Sequence, residues 1–207
     1  MVPSVRLVLA FLFFGLLIPA AEARTIKIVA FGDSNTAGFL TATEENYPYR
    51  LEAALRARGH DVRVTNSGVN GSTSGGGLNW IDQAVPPGTD IAIVFFGRND
   101  MRFGVSEVRL RENLSTIVGK LRGRGIQVIL CGYYGFDFSG IARRHGAVYY
   151  SDFFSGTAVK GVKKLEYTRV LDPLRHLNGA GYEVVVKALV PVVEPLVRRA
   201  ASRPATQ

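Results

Sequence analysis

Two widely separated stretches of this chain carry residue types suited to nucleophilic chemistry. Ser34 stands in Phe31-Gly32-Asp33-Ser34-Asn35-Thr36-Ala37-Gly38, and His176 stands in Asp172-Pro173-Leu174-Arg175-His176-Leu177-Asn178. Acyl transfer to a hydroxyl needs a base for the serine proton, an acceptor that orients that base, and donors aimed at the developing oxyanion. Ser34 is the candidate nucleophile and His176 the candidate base. Gly71 offers an unobstructed backbone N–H and Asn99 a side-chain amide. Each has a plainer use when taken alone. Gly, Asp and Ser are what any tight turn needs, Gly71 can serve a turn, and Asn99 can cap a helix. Their occurrence together at one place in the fold favours the catalytic use.

That place follows from the order of the elements. Apolar runs at 25–31, 62–66, 91–96, 126–130 and 147–150 read as strands. Between them, 47–58 and 105–121 carry apolar residues at helical spacing and end near Gly59 and Gly123. A closing apolar helix is expected over 182–199, with Pro191 and Pro195 predicting a kink or break. Near-continuous Val/Ile strands alternating with amphipathic helices predict one α/β domain, a doubly wound parallel sheet of five strands in three layers. Sites in such folds form beyond the carboxyl ends of the strands. Ser34 follows the first strand, the run from Asn66 to Thr73 follows the second, and Gly97-Arg98-Asn99-Asp100 follows the third. A long irregular stretch, 153–171, precedes the segment that returns His176 to the same edge.

The motifs at these turns resemble those of the SGNH (GDSL) hydrolase family. The resemblance is carried by Gly-Asp-Ser-Asn-Thr at 32–36, the Asn-x-Gly-x-x-Gly stretch ending at Gly71, Gly-x-Asn-Asp at 97–100, and His-Leu-Asn at 176–178 before a Gly-Tyr helix start. It covers nearly all of the chain after the leader and is nearest the secreted bacterial arylesterase, thioesterase and lysophospholipase branch. It implies a flavodoxin-like sheet and a serine esterase working through an acyl-enzyme. Ser34 would attack, His176 would accept its proton, and the amides of Ser34 and Gly71 with the Asn99 side chain would hold the oxyanion. No cofactor or metal is implied. Two features depart from the family pattern. Asp172 precedes His176 by four residues where three is usual, which makes Asp172 either the triad acid or a cap on a helical turn at 173–176. The segment from Cys131 to Gly146 is also short, which points to short-chain acyl or acetyl esters, with thioesters and lysophospholipids as further candidates. The rival expectation is a secreted, non-catalytic binding module on the same fold, favoured by the shifted Asp172 and the net charge.

Composition sets the remaining bounds. Residues 1–23 read as a secretory signal: Arg6, then the apolar core 7–18, then Ala21-Glu22-Ala23 for cleavage. The expected product is a secreted or periplasmic chain starting at Arg24, with one domain over 24–199 and a disordered tail at 200–207. The net charge of +8 suggests attraction to an anionic membrane or wall surface. No basic stripe interleaved with aromatics is present, which argues against nucleic acid as a partner. The substrate is then a small-molecule or polymer-borne ester, and the oligomeric state is left open. Cys131 is the single cysteine and ends an apolar run, so it is expected in the core. Metal-ligand spacing of Cys and His is absent.

Overall fold

The computed structural model describes residues 24–133, 135–159, 162–163, 165–168, 172 and 175–203. The expected leader 1–23 and tail residues 204–207 lie outside these. Strands β1 (Ile26–Gly32), β2 (Val62–Gly68), β3 (Ile91–Phe95), β4 (Gln127–Cys131) and β5 (Val148–Tyr150) form one sheet in the order β2-β1-β3-β4-β5. Every pairing in it is parallel. All strand carboxyl ends therefore lie on one edge, as a doubly wound sheet requires.

Strand residues alternate between two apolar layers. Ile28, Ala30, Ile93 and Phe95 face α2 (Tyr47–Arg56) and the C-terminal helix α7 (Gly179–Ala201) through Leu51, Leu55, Val185 and Leu189. Val29, Phe31, Ala92 and Val94 face the other way, against α3 (Ser74–Ala84), α5 (Glu107–Gly123) and α6 (Ser139–His145). Both faces of the central strands are thus buried, which explains their unbroken apolar runs. The starts of two helices are capped by polar side chains. Asn46 accepts from the Tyr49 N–H at the start of α2, and Ser106 accepts from Arg109 at the start of α5.

Three expectations are corrected, and one helix is new. α7 runs unbroken through Pro191 and Pro195. Both prolines and Lys187 lie on its exposed side, so the carbonyls of Lys187 and Pro191 that lose their intrahelical donors face water. The same helix extends to Ala201, two residues into the expected tail, because Ala200 is buried in the core and its carbonyl accepts from Arg24. The glycine-rich run Ser74-Gly75-Gly76-Gly77 opens α3, a helix the sequence pattern does not signal. Finally, the stretch 153–171 is not wholly irregular. Phe153 stacks on Phe95 at 4.1 Å between ring centroids, and a small antiparallel hairpin follows, formed by β6 (Ala158–Val159) and β7 (Val162–Lys163). Cys131 is fully buried, and burial pushes its thiol well above its ordinary range.

Candidate active site

β1 ends at Gly32, where a Cβ would come within 2.5 Å of the Phe95 carbonyl oxygen, so only glycine lets the chain turn there. Asp33 then caps a single helical turn, α1 (Ser34–Ala37), its Oδ1 accepting from both the backbone N–H and the side-chain amide of Asn35 at 2.9 Å. Ser34 is the first residue of that turn and is 7% exposed. The turn is tied down on two sides. The Tyr182 hydroxyl of α7 donates to the Asn35 carbonyl at 2.9 Å, and the Asn66 amide of β2 donates to the Ala37 carbonyl at 3.3 Å.

His176 approaches from the far end of the chain. Its Nε2 lies 2.8 Å from Ser34 Oγ, across 142 residues of sequence. On its other side, Nδ1 lies 2.5 Å from Asp172 Oδ2, and the same oxygen accepts from the His176 backbone N–H at 2.6 Å. Both side chains are buried, and the Phe39 ring packs against the imidazole at 4.9 Å. The segment from Asp172 to His176 is held by a backbone bond as well as through side chains. The Arg175 N–H bonds the Asp172 carbonyl at 2.9 Å, and Arg175 itself takes a left-handed φ of 51°. With these backbone constraints the carboxylate reaches both the ring and the backbone N–H of His176.

Gly71 sits in the turn after β2 with φ of 76° and open space beside it. Such a φ strains any residue with a side chain. Asn99 lies in α4 (Arg98–Arg102), 5% exposed, and its amide donates to the Ser72 carbonyl at 3.0 Å. The structure therefore joins the segment after the second strand to the segment after the third. Val69 N–H donates to the Gly32 carbonyl at 3.0 Å and joins the second to the first.

A further group holds these segments. Asp100 is fully buried, and its carboxylate accepts from the Ser74 N–H at 2.9 and 3.1 Å and from the Ser74 hydroxyl at 2.6 Å. Asn113 of α5 donates to that hydroxyl at 3.0 Å. The acid thus caps α3 and compensates for three glycines in its first turns, while its neighbour Asn99 reaches Ser72. Sequence reasoning passed over Ser74 and Asn113 and noticed Asp100 only as part of its turn. The only signal available was an acid beside Asn99 with no stated task.

Two clefts open on this edge. One, of about 480 Å³, lies beside Ala37, Asn46, Tyr49, Asn66 and Gly68. The other, of about 380 Å³, lies beyond the ends of β4 and β5 and is lined by Tyr133, Phe136, Tyr149 and Asp152. Arg98 donates to the Tyr133 hydroxyl at 2.8 Å and so connects α4 to the second cleft. Among the described residues no group of three His, Cys, Asp or Glu side chains is placed to hold a metal ion.

Residues 30–184 match the GDSL-like lipase/acylhydrolase family. An arylesterase of Vibrio mimicus is 32% identical over 127 residues, 61% of this chain and 62% of that protein. Esterase TesA of Pseudomonas aeruginosa is 32% identical over 118 residues, 56% of this chain and 58% of its own. The chain thus matches about three-fifths of the length of these two relatives. The crystal structure of AlinE4, an SGNH-hydrolase family esterase, superposes with a TM-score of 0.65 at 31% identity, covering 83% of this chain and 96% of that one. A crystal structure of TesA superposes with a TM-score of 0.70 at 23% identity, covering 82% and 99%, a likeness of fold.

Proposed function

We propose that this chain, which belongs to the GDSL-like lipase/acylhydrolase family, is a serine ester hydrolase in which Ser34 is the nucleophile and His176 its general base. The observation that carries the reading is the 2.8 Å contact between Ser34 Oγ and His176 Nε2 inside a buried site. In this mechanism Oγ attacks the ester carbonyl as Nε2 takes its proton. Asp172 on Nδ1 keeps the neutral ring in the tautomer that leaves Nε2 free to accept, and then stabilises the imidazolium. The backbone amides of Ser34 and Gly71 and the Asn99 side chain take up the oxyanion. Its collapse breaks the bond to the alcohol, which leaves with the proton from Nε2. Water then attacks the acyl-enzyme, with His176 as base again, and releases the acid.

No cofactor enters this scheme. Short acyl or acetyl esters are the proposed substrates, with thioesters and lysophospholipids as further candidates, because the segment between β4 and β5 is brief and its cleft is modest. The names of the relatives, arylesterase and esterase, support ester hydrolysis. The non-catalytic binding module is not supported. Export through the leader 1–23, with secretion or periplasmic residence, belongs to the same proposal and rests on the residue pattern there.

The deciding experiment is turnover of p-nitrophenyl acetate by the purified chain and by Ser34→Ala. Turnover that disappears in the variant while its melting temperature is kept is the expected result. Equal rates in both proteins would refute the assignment of Ser34.

A further inference from the structure

We propose that a groove at the edge of the sheet opposite Ser34 is a binding site for a tetrahedral oxyanion, a phosphate or sulfate group. The groove measures about 530 Å³ and lies over the amino-terminal halves of β1 and β2, with Lys27, Arg63, Thr65 and Thr89 among its lining residues and Pro86 and Pro87 as one wall.

Lys27 and Arg63 are direct partners in the β1–β2 pairing, and both are exposed on the same face. Parallel neighbours lie about 4.8 Å apart, and like charges placed opposite each other destabilise a sheet. A sheet ordinarily relieves such a pair with a nearby acid, yet the groove lining carries one acid, Asp61, against the three cations Lys27, Arg56 and Arg63. Asp61, which lines the groove, accepts from the Thr25 hydroxyl at 2.7 Å. Asp90 takes the Arg24 guanidinium at 2.6 Å and the Lys27 backbone N–H at 2.9 Å. Glu52 takes Arg56, the third cation of the groove, at 3.3 Å and the Val64 N–H at 2.7 Å. Among the described residues no ion pair neutralises Lys27 or Arg63.

The surroundings suit an anion. The Lys27 ammonium lies beside the loop at Gly88, 3.8 Å from where a Cβ would stand. A guanidinium fork, an ammonium and the Thr65 hydroxyl, which stands on the same face of β2 two residues on, match the several oxygens of a phosphate or sulfate. The net charge of +8 draws anions toward the whole surface, and the unrelieved pair gives them a place to settle. Because the groove is on the amino-terminal edge, its occupant is distinct from the ester at Ser34. A polymer held there leaves the Ser34 edge open.

Thermal melting of the whole chain tests the site without reference to turnover. Melts are recorded in inorganic phosphate and in linear polyphosphate at constant ionic strength, for wild type, Lys27→Glu, Arg63→Gln and Arg144→Glu. The last makes the same charge change on exposed α6. Without anions, Lys27→Glu is expected to melt about 1–3 °C above wild type, since the new carboxylate faces Arg63. Added anion is expected to raise the wild-type and Arg144→Glu transitions, to leave Lys27→Glu unmoved, and to act on Arg63→Gln only at tenfold or higher concentration. A response to phosphate identifies the free ion as sufficient, and a response to polyphosphate alone identifies a polymer-borne group; either supports the site. Loss of the response in Arg144→Glu as complete as in Lys27→Glu would reveal a general charge effect and overturn it. So would the absence of any response in wild type.

Discussion

Replacing Asp100 with Asn is expected to cost turnover through the oxyanion donors rather than through substrate binding. The carboxylate is fully buried and accepts every bond it makes to Ser74. A carboxamide keeps one accepting oxygen and turns an NH₂ toward the Ser74 N–H or hydroxyl, so at least one charge-assisted bond is lost and a donor is left facing a donor. Hydrogen bonds to charged groups contribute about 1.5–3 kcal/mol each, and an unsatisfied buried donor costs about as much. A loss of about 2–4 kcal/mol in stability is expected, or a fall of about 4–16 °C in Tm for a domain of this size. With Ser74 released, the Ser72 carbonyl that fixes Asn99 shifts, and the alignment of Asn99 and Gly71 loosens. One oxyanion donor contributes about 3–4 kcal/mol, so partial misalignment of two should lower kcat about tenfold to a hundredfold with KM little changed. The assay is kcat and KM on a soluble ester for wild type, Asp100→Asn, Asn99→Ala and the double variant. If Asp100 acts through Asn99, its replacement in the Asn99→Ala background should cost no more than about threefold. The same factor in both backgrounds, or a fall in Tm with kcat intact, would refute the reasoning and leave Asp100 as a cap on α3 alone.

Asp172→Asn is expected to reduce turnover by about four orders of magnitude by fixing the wrong tautomer; near-normal rates with a lowered Tm would make Asp172 a turn-forming residue only. A serine-directed phosphonate should inactivate the protein while iodoacetamide leaves it active, because Cys131 is buried and its thiol is held protonated; mass spectrometry of the labelled residue decides between them. The kcat/KM series from acetyl to dodecanoyl esters should flatten early instead of gaining the about 0.8 kcal/mol per methylene that full burial gives, and a steady rise would show a longer apolar channel. Hydrogen bonds from His60 first, and then Arg198, lower the Glu194 carboxyl from 4.5 to about 2. A lowered folded-state value stabilises above the unfolded one, so this contribution is lost as pH falls from about 4.5 to about 2. The melting temperatures of wild type and Glu194→Gln should therefore converge across that interval, and a constant gap would contradict the pairing.

The sequence by itself determined the layered sheet and the edge on which Ser34, Gly71, Asn99 and His176 meet. Both follow from local rules: apolar runs too continuous for a one-sided sheet, helices between them, and parallel strands that all end on the same side. Tertiary structure decided what local rules could not. Pro191 and Pro195 are compatible with an unbroken α7 because they fall on its exposed side, which depends on how the helix docks. The glycines that open α3 argue against a helix; Thr73 caps it locally through the Gly76 N–H, and Asp100, 26 residues away, takes the Ser74 N–H as well. The spacing of Asp172 and His176 departs from the expected three, yet the carboxylate reaches the ring, with Arg175 in a left-handed conformation that no propensity scale records. The Lys27–Arg63 pair exists only through strand register. Each of these rests on a contact between segments far apart in sequence or on a backbone conformation imposed by its surroundings, and such contacts come into being only when the layers pack.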